Sequence, residues 1–256
     1  MDYTNLAILL GVGLVGGAWN AIAGGATLFT FPALMAAGLP PVVANATNFL
    51  GLLPSNAAAL MAYREELRNG GVLLVKLSVV SGAGAAVGSV LLLVSDPQTF
   101  LFLVPFLLLA ATLLFALGEP MRRAFVRLAG ASQTSPAVYG VLFLVSIYGG
   151  YFGAGLGIIL LAIAQIIGHS DFHAANSMKN LLATNFTIIS IVIFGIGGLI
   201  DWTAAIVMMA GSTVGGYAGG YWARSVNQRL LRTLVVGFGG LLSLVYFWRI
   251  FGPHVF

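Results

Sequence analysis

An all-α, polytopic membrane protein made of two homologous halves is the fold class this sequence predicts, and three observations predict it. Hydrophobic residues make up 59% of the 256 and charged residues only 7%, against about 25% charged in a soluble domain. The chain therefore cannot cover itself with a water-compatible surface. Its apolar runs are continuous and lack the in/out alternation of a membrane barrel, so they read as helices. Shifted by 131 residues, the chain falls on itself: Gly24 on Gly155, Ala44-Asn45 on Ala175-Asn176, Gly84 on Gly215 and Gly88 on Gly219. The sequence reading takes this offset as ungapped. A period this long is a duplicated half and not a solenoid unit of about 20–50 residues, and many secondary transporters are built from duplicated halves.

Apolar blocks cover 5–37, 42–63, 72–94 and 99–118, then 137–168, 173–195, 201–222 and 229–251, about four segments per half. Residues 1–118 form the first transmembrane repeat, 119–136 a basic linker carrying Arg122, Arg123 and Arg127, and 137–256 the second repeat, together one transmembrane domain. Most blocks have the roughly 20 residues a spanning helix needs. The first block of each half is too long, since 33 residues of straight helix reach about 50 Å across a hydrocarbon core of about 30 Å. Glycines interrupt both: Gly16-Gly17 and Gly24-Gly25 in the first, and Gly149-Gly150, Gly153, Gly155 and Gly157 in the second. Each costs a helix interior about 1 kcal/mol relative to alanine. Both blocks are expected to be broken or re-entrant.

Arginine placement supports re-entry. If both blocks return to the side they entered from, Arg64, Arg68, Arg122, Arg123, Arg127, Arg224, Arg229 and Arg232 share one face against Arg249. Cytoplasmic loops carry the excess of basic residues. Three full crossings per half then remain, an odd number, so the halves are expected to be inverted repeats in the cell inner (cytoplasmic) membrane. The net charge of +4 is a topology signal, and no nucleic-acid partner is expected. The start Met-Asp-Tyr-Thr-Asn lacks the basic region of a cleaved signal peptide, so the first apolar stretch is expected to remain. The absence of cysteine excludes disulfides and thiolate metal sites.

The second block of each half carries a polar stripe. Asn45, Asn48 and Asn56 lie on one helical face, and the repeat maps them onto Asn176, Lys179 and Thr187, with Asn180 alongside. Unpaired amides in lipid cost several kcal/mol each, so both stripes must face protein or water. Lys179 sits about two turns inside its block, with no acidic residue one turn away; an anionic cargo would supply the missing counter-charge. The candidate binding residues are Asn45, Asn48, Asn176 and Asn180 as donors, Lys179 as charge, and Gly24, Gly25, Gly155 and Gly157 as close backbone approaches. Asn20 and Thr27 complete the set. The expected partners are a small anionic substrate and the lipid bilayer, with a homo-oligomer left open. Gly11-Val-Gly13-Leu-Val-Gly16 satisfies a dinucleotide pattern but has no strand–helix–strand context, so no cofactor is expected. His169-Ser-Asp171-Phe-His173 has metal-like spacing but reads as a polar turn. A channel and an intramembrane enzyme are the competing classes.

In these motifs the chain resembles the sulfite exporter TauE/SafE family of membrane transporters. In the first half the resemblance rests on Gly24-Gly25-Ala26-Thr27, Pro32, Gly38-Leu-Pro40-Pro41 and Ala44-Asn45-Ala46-Thr47-Asn48. In the second it rests on Gly149-Gly150-Tyr-Phe-Gly153-Ala-Gly155-Leu-Gly157, Ala175-Asn176 and the glycine-rich stretch from Gly211. It covers nearly the whole chain. What it implies is export or uptake of small sulfur-containing anions, such as sulfite, sulfonates and sulfoacetate-like compounds, across the cytoplasmic membrane. Ala26 and Asn48 depart from the family pattern, where glycine and a small hydroxyl residue are common.

Overall fold

A computed structural model describes residues 2–22, 25–62, 71–128, 136–166, 172–222 and 228–252. Among them are ten helices and no strand. The first half holds α1 (Tyr3–Ile22), α2 (Thr27–Ala36), α3 (Pro41–Ala62), α4 (Gly71–Leu93) and α5 (Pro97–Leu128). The second holds α6 (Pro136–Tyr151), α7 (Leu156–Ile166), α8 (Phe172–Ile196), α9 (Trp202–Trp222) and α10 (Gln228–Phe251). Among the described residues each half thus shows five helices, because its overlong first block is split in two. The 119–136 stretch is helical as far as Leu128, a continuation of α5. Five of the described helices contain a stretch long and apolar enough to cross a membrane: 3–21, 71–93, 97–114, 178–196 and 233–251. The protein is a multi-pass, all-helical membrane protein.

Helix starts follow local chemistry. Pro41, Pro97 and Pro136 each open a helix, where the missing N–H would have had no partner anyway. Asp96 caps α5, its Oδ2 accepting from the N–H groups of Gln98 (3.0 Å) and Thr99 (2.9 Å). Asp201 caps α9 by accepting from Ala204 N–H at 2.9 Å. Such caps are worth about 1 kcal/mol each.

The first block of each half is a hairpin of two unequal helices. Asn5 Nδ2 donates to Ala37 O at 3.5 Å, which sets the start of α1 beside the end of α2, so α2 runs back along α1. The break falls where Gly25 takes φ 76° in the first hairpin, and where Gly153 and Gly155 both take φ 75° in the second. Only glycine adopts that region without steric cost. The breaks do not fall at Gly16-Gly17 or Gly149-Gly150, which the sequence had offered as interruptions; α1 and α6 run through them. Those glycines serve close packing instead. A Cβ on Gly17 would strike the backbone of Ser212, and one on Gly150 that of Ala85.

Residue contacts fix the direction of each helix. Leu10, Leu14 and Ala18 of α1 meet Gly211, Gly215 and Gly219 of α9 in step, so α1 and α9 are parallel. Ser212 Oγ donates to Gly51 O at 2.5 Å and Gly216 lies on Ser55, so α3 runs the same way. In the other set, Phe143 and Ile147 of α6 meet Gly84 and Gly88 of α4. Asn185 Nδ2 donates to Ser78 O at 2.7 Å and Ser89 Oγ to Ser190 Oγ at 2.8 Å, which makes α8 parallel to α4. The two sets oppose each other. The start of α3 meets the end of α8, with Asp201 N–H donating to Thr47 Oγ1 at 3.0 Å and the Phe49 ring 5.5 Å from Phe194. Equivalent helices α5 and α10 also pair antiparallel, with Phe102 on Phe251 (4.9 Å) and Phe106 on Phe247 (5.0 Å).

Two further features of the duplication emerge. The first helix of each half packs on the fourth helix of the other, so the halves exchange elements and do not sit side by side. The ungapped offset also fails in the hairpins. Helices α3, α4 and α5 start 131 residues before α8, α9 and α10. By contact, however, Leu14 on Gly215 corresponds to Phe143 on Gly84, and Ala18 on Gly219 to Ile147 on Gly88, a separation of 129 in the hairpin. Two extra residues before α8 restore the register.

Candidate functional site

The polar stripes of α3 and α8 and the two hairpin breaks meet at one cavity of about 80 Å³. The first half contributes Asn20 from α1, Gly25 and Thr27 at the break, and Asn48, Phe49, Leu52 and Asn56 from α3. The second contributes Phe152 and Gly153 at its break, Leu156 and Gly157 from α7, and Lys179, Asn180, Ala183, Phe186 and Thr187 from α8. By the same measure one water needs roughly 10–15 Å³, so the space suits a handful of waters or one compact anion. Both short helices begin at this wall. At α2 the leading N–H groups of Leu28, Phe29 and Thr30 bond to Gly25 O and Ala26 O, so what the helix starts turn toward the wall is the positive end of the helix dipole.

The amides of the first half are held in one orientation. Thr30 Oγ1 donates to Asn48 Oδ1 at 2.6 Å, and Asn48 Nδ2 donates to Thr27 Oγ1 at 3.1 Å. Asn20 Nδ2 donates to Ser55 Oγ and to Asn56 Oδ1, both at 2.8 Å. The carbonyl ends of Asn48 and Asn56 are thus occupied by the wall. What these groups retain is mostly donors, an N–H of Asn48, the NH2 of Asn56 and the hydroxyl hydrogen of Thr27, beside one acceptor, Asn20 Oδ1. On the opposite wall lie Asn180 and Lys179. The Lys179 stem passes the first turn of α7, with Cδ 3.8 Å from where a Cβ on Gly157 would sit. Among the described residues, no acidic group pairs with Lys179, and Lys179 is the only charged group lining the cavity.

Of the residues singled out from the sequence, Asn20, Gly25, Thr27, Asn48, Gly157, Lys179 and Asn180 line this space. Asn45 does not. It is fully buried and its Nδ2 donates to Tyr151 O at 2.8 Å, tying α3 to the end of α6; its Oδ1 has no partner among the described residues. Gly155 packs against the backbone of Ala111 in α5. Gly24 and the side chain of Asn176 lie outside the described residues, as do His169, Asp171 and the side chain of His173. Sequence reasoning left out the apolar wall of Phe49, Leu52, Phe152, Leu156, Ala183 and Phe186. The signal was present: steps of three and four from Asn48 and Lys179 along their own faces reach Leu52 and Ala183, then Asn56 and Phe186 or Thr187.

One end of the site is sealed. Residues 44–48 of α3 are buried on all sides, none more than 1% exposed. Phe49 closes the gap against Phe186 (6.5 Å) and Phe194 (5.5 Å) in edge-to-face contacts, a favoured aromatic geometry. Behind it, Phe31 packs on Phe152 (5.4 Å) and Phe100 (6.3 Å). The cavity lies on the other side of this plug, toward the end of α3.

Residues 9–246 match the model of the family described as Sulfite exporter TauE/SafE. The chain is 33% identical over 244 residues to a "Probable membrane transporter protein" of Haemophilus influenzae, covering 90% of each. It is 28% identical over 260 residues to "Probable membrane transporter protein YfcA" of Escherichia coli K12, covering 98% of this chain and 92% of the relative. A Sinorhizobium protein, "Probable membrane transporter protein ORF9", is 28% identical over 238 residues, with 90% and 88% covered. No solved structure matches.

Proposed function

The chain belongs to the sulfite exporter TauE/SafE family of membrane transporters, and from that premise we propose that it carries a small sulfur-containing oxyanion across the cytoplasmic membrane by alternating access. The observation that carries this reading is a single ammonium in a small cavity whose neighbouring amides of Asn48 and Asn56 turn their N–H groups, not their carbonyls, to the space. A space of about 80 Å³ is faced by the Lys179 ammonium and by amide and hydroxyl groups, with the carbonyl oxygens of Asn48 and Asn56 already bonded to the wall. Sulfite, with four heavy atoms, or a short sulfonate fits that volume and presents three acceptor oxygens to it. Helix N-termini at the two breaks add the positive ends of two helix dipoles, the arrangement by which broken helices face anionic groups in other transporters. The Phe49 plug supports a carrier over an open channel.

The opposed directions of α3 and α8, and of α5 and α10, support inverted repeats. The plug lies at the end of α3 away from Arg64 and Arg68, so the cavity faces the basic, cytoplasmic side in this reading. Single cysteines placed at Gly38 and Gly198 are then expected to label from one compartment, and one at Glu66 from the other. Gly198 and Glu66, which occupy equivalent places in the two halves, labelling from the same side would remove the inversion.

The function itself is tested by thermal unfolding of the detergent-solubilised protein with sulfite, methanesulfonate, acetate and phosphate. A ligand at about 100 times its Kd stabilises by about 2.7 kcal/mol, and the sulfur oxyanions are expected to do so. Lys179→Ala should lose most of that gain. If none of the four anions shifts the wild-type transition, the proposed cargo class is wrong.

A further inference from the structure

One cation faces the cavity, and among the described residues no carboxylate or histidine faces it. Resting on the anion-carrier reading above, we propose that the protein is an exchanger of monovalent anions, which swaps one bound anion for another and rarely changes sides empty. The reason lies in what Lys179 has for company in each state. With a monovalent anion bound, the ammonium and the cargo cancel, and the amide donors of Asn48, Asn56 and Asn180 are used. Without cargo, the ammonium has no acidic partner among the described residues and depends on the few waters the cavity can hold.

Changing sides requires those waters to be cut off from bulk. The plug built on Phe49, Phe186 and Phe194 must open while an equivalent closure forms at the other end, so the site is enclosed for a time by apolar wall. An ammonium left bare there carries the penalty of a lone charge within the bilayer, enough to slow the empty return by about a hundredfold. The loaded site has no net charge and escapes that penalty. A divalent anion does not, because among the described residues no second cation lines the cavity to neutralise it. The empty site could return uncharged only if Lys179 first shed its own proton, since no carboxylate or histidine, the usual proton carriers, is among the described lining residues to take it.

The test uses the full chain in liposomes loaded with radiolabelled methanesulfonate, which is monovalent at any working pH, with the membrane potential clamped at zero. Efflux into buffer containing external methanesulfonate should exceed efflux into anion-free buffer by at least about tenfold, and external sulfate should give no acceleration. Lys179→Gln should bring the ratio close to one whatever its absolute rate, and Lys179→Arg, which keeps the charge, should retain it. Equal efflux with and without external anion overturns exchange while leaving the carrier in place, and so does equal acceleration by sulfate or an unchanged ratio in Lys179→Gln. Stabilisation by sulfite with no methanesulfonate movement overturns it too. Absence of both movement and anion stabilisation overturns the carrier reading itself.

Discussion

Gly88→Val and Gly215→Val are each expected to abolish recovery of folded, monodisperse protein, whereas Gly140→Ala and Gly237→Ala leave it intact. The contrast follows from what a side chain would meet. Gly88 and Gly215 sit where the fourth helix of one half crosses the first helix of the other, and any Cβ there falls on backbone: Ile147 and Tyr151 in one case, Leu14 and Ala18 in the other. A flexible side chain could move aside, but two helical backbones can only separate. Separation would also break the in-step rows on either side, which include Gly84 and Gly150 in one crossing and Gly13, Gly17, Gly211 and Gly219 in the other. Lipid supplies no hydrophobic force to hold helices together, so close van der Waals packing of small residues is the main attraction lost. Inserting even single methylenes into a tight contact costs about 1–3 kcal/mol, and valine adds three carbons. Gly140 and Gly237 have nothing within 4 Å of the added atom. Size-exclusion profiles in detergent and thermal midpoints of the four variants decide the matter. Wild-type behaviour in Gly88→Val or Gly215→Val would mean that the crossings are not as close as described.

How much of this was legible in the sequence depended on whether a residue's role was set by its own segment or by its neighbours. The all-helical membrane class and the helix pairs starting at Pro41 and Phe172 or at Gly71 and Trp202 needed only hydropathy and the offset. The broken first segment needed only its length and its glycines. Which glycines break the chain was not readable, because Gly17 and Gly25 look alike until Ser212 is placed against one of them. Asn45 and Asn48 likewise share a face and differ in partner. Asn45 is drawn to the Tyr151 carbonyl, a residue 106 positions away, and Asn48 to Thr27 and Thr30 at the break. Only the exchange of first helices between halves makes the former contact possible. The hairpin slip from 131 to 129 was hidden for a similar reason: the glycine and asparagine matches reward one register, and the helix crossings report another.

Phe49→Ala should make the site reachable from both sides of the membrane at once and destabilise the protein by about 3–5 kcal/mol, the range for removing a large buried aromatic. The ring is 7% exposed and touches Phe186, Phe194 and the Gly153 turn, so its loss opens a gap between α3 and two elements of the opposite half, α8 and that turn. Those elements cannot close the gap independently. Phe194 lies near the end of α8, where Asp201 bonds Thr47, and the Gly153 turn is tied to α3 through Tyr151 and Asn45. The void should therefore persist and connect with the existing cavity. The chain contains no cysteine, so a single Ala183→Cys on the cavity wall reports access by itself. With Phe49 in place, a membrane-impermeant thiol reagent should reach it only from the compartment that also labels Glu66→Cys. In the Phe49→Ala background it should be reached from either compartment. Phe49→Leu retains most of the volume and is expected to keep access one-sided, which separates loss of the plug from loss of aromatic contact. Two-sided labelling with Phe49 intact would mean that the plug is not a barrier. One-sided labelling in Phe49→Ala, with stability reduced as expected, would place the barrier deeper, at Phe31, Phe100 and Phe152.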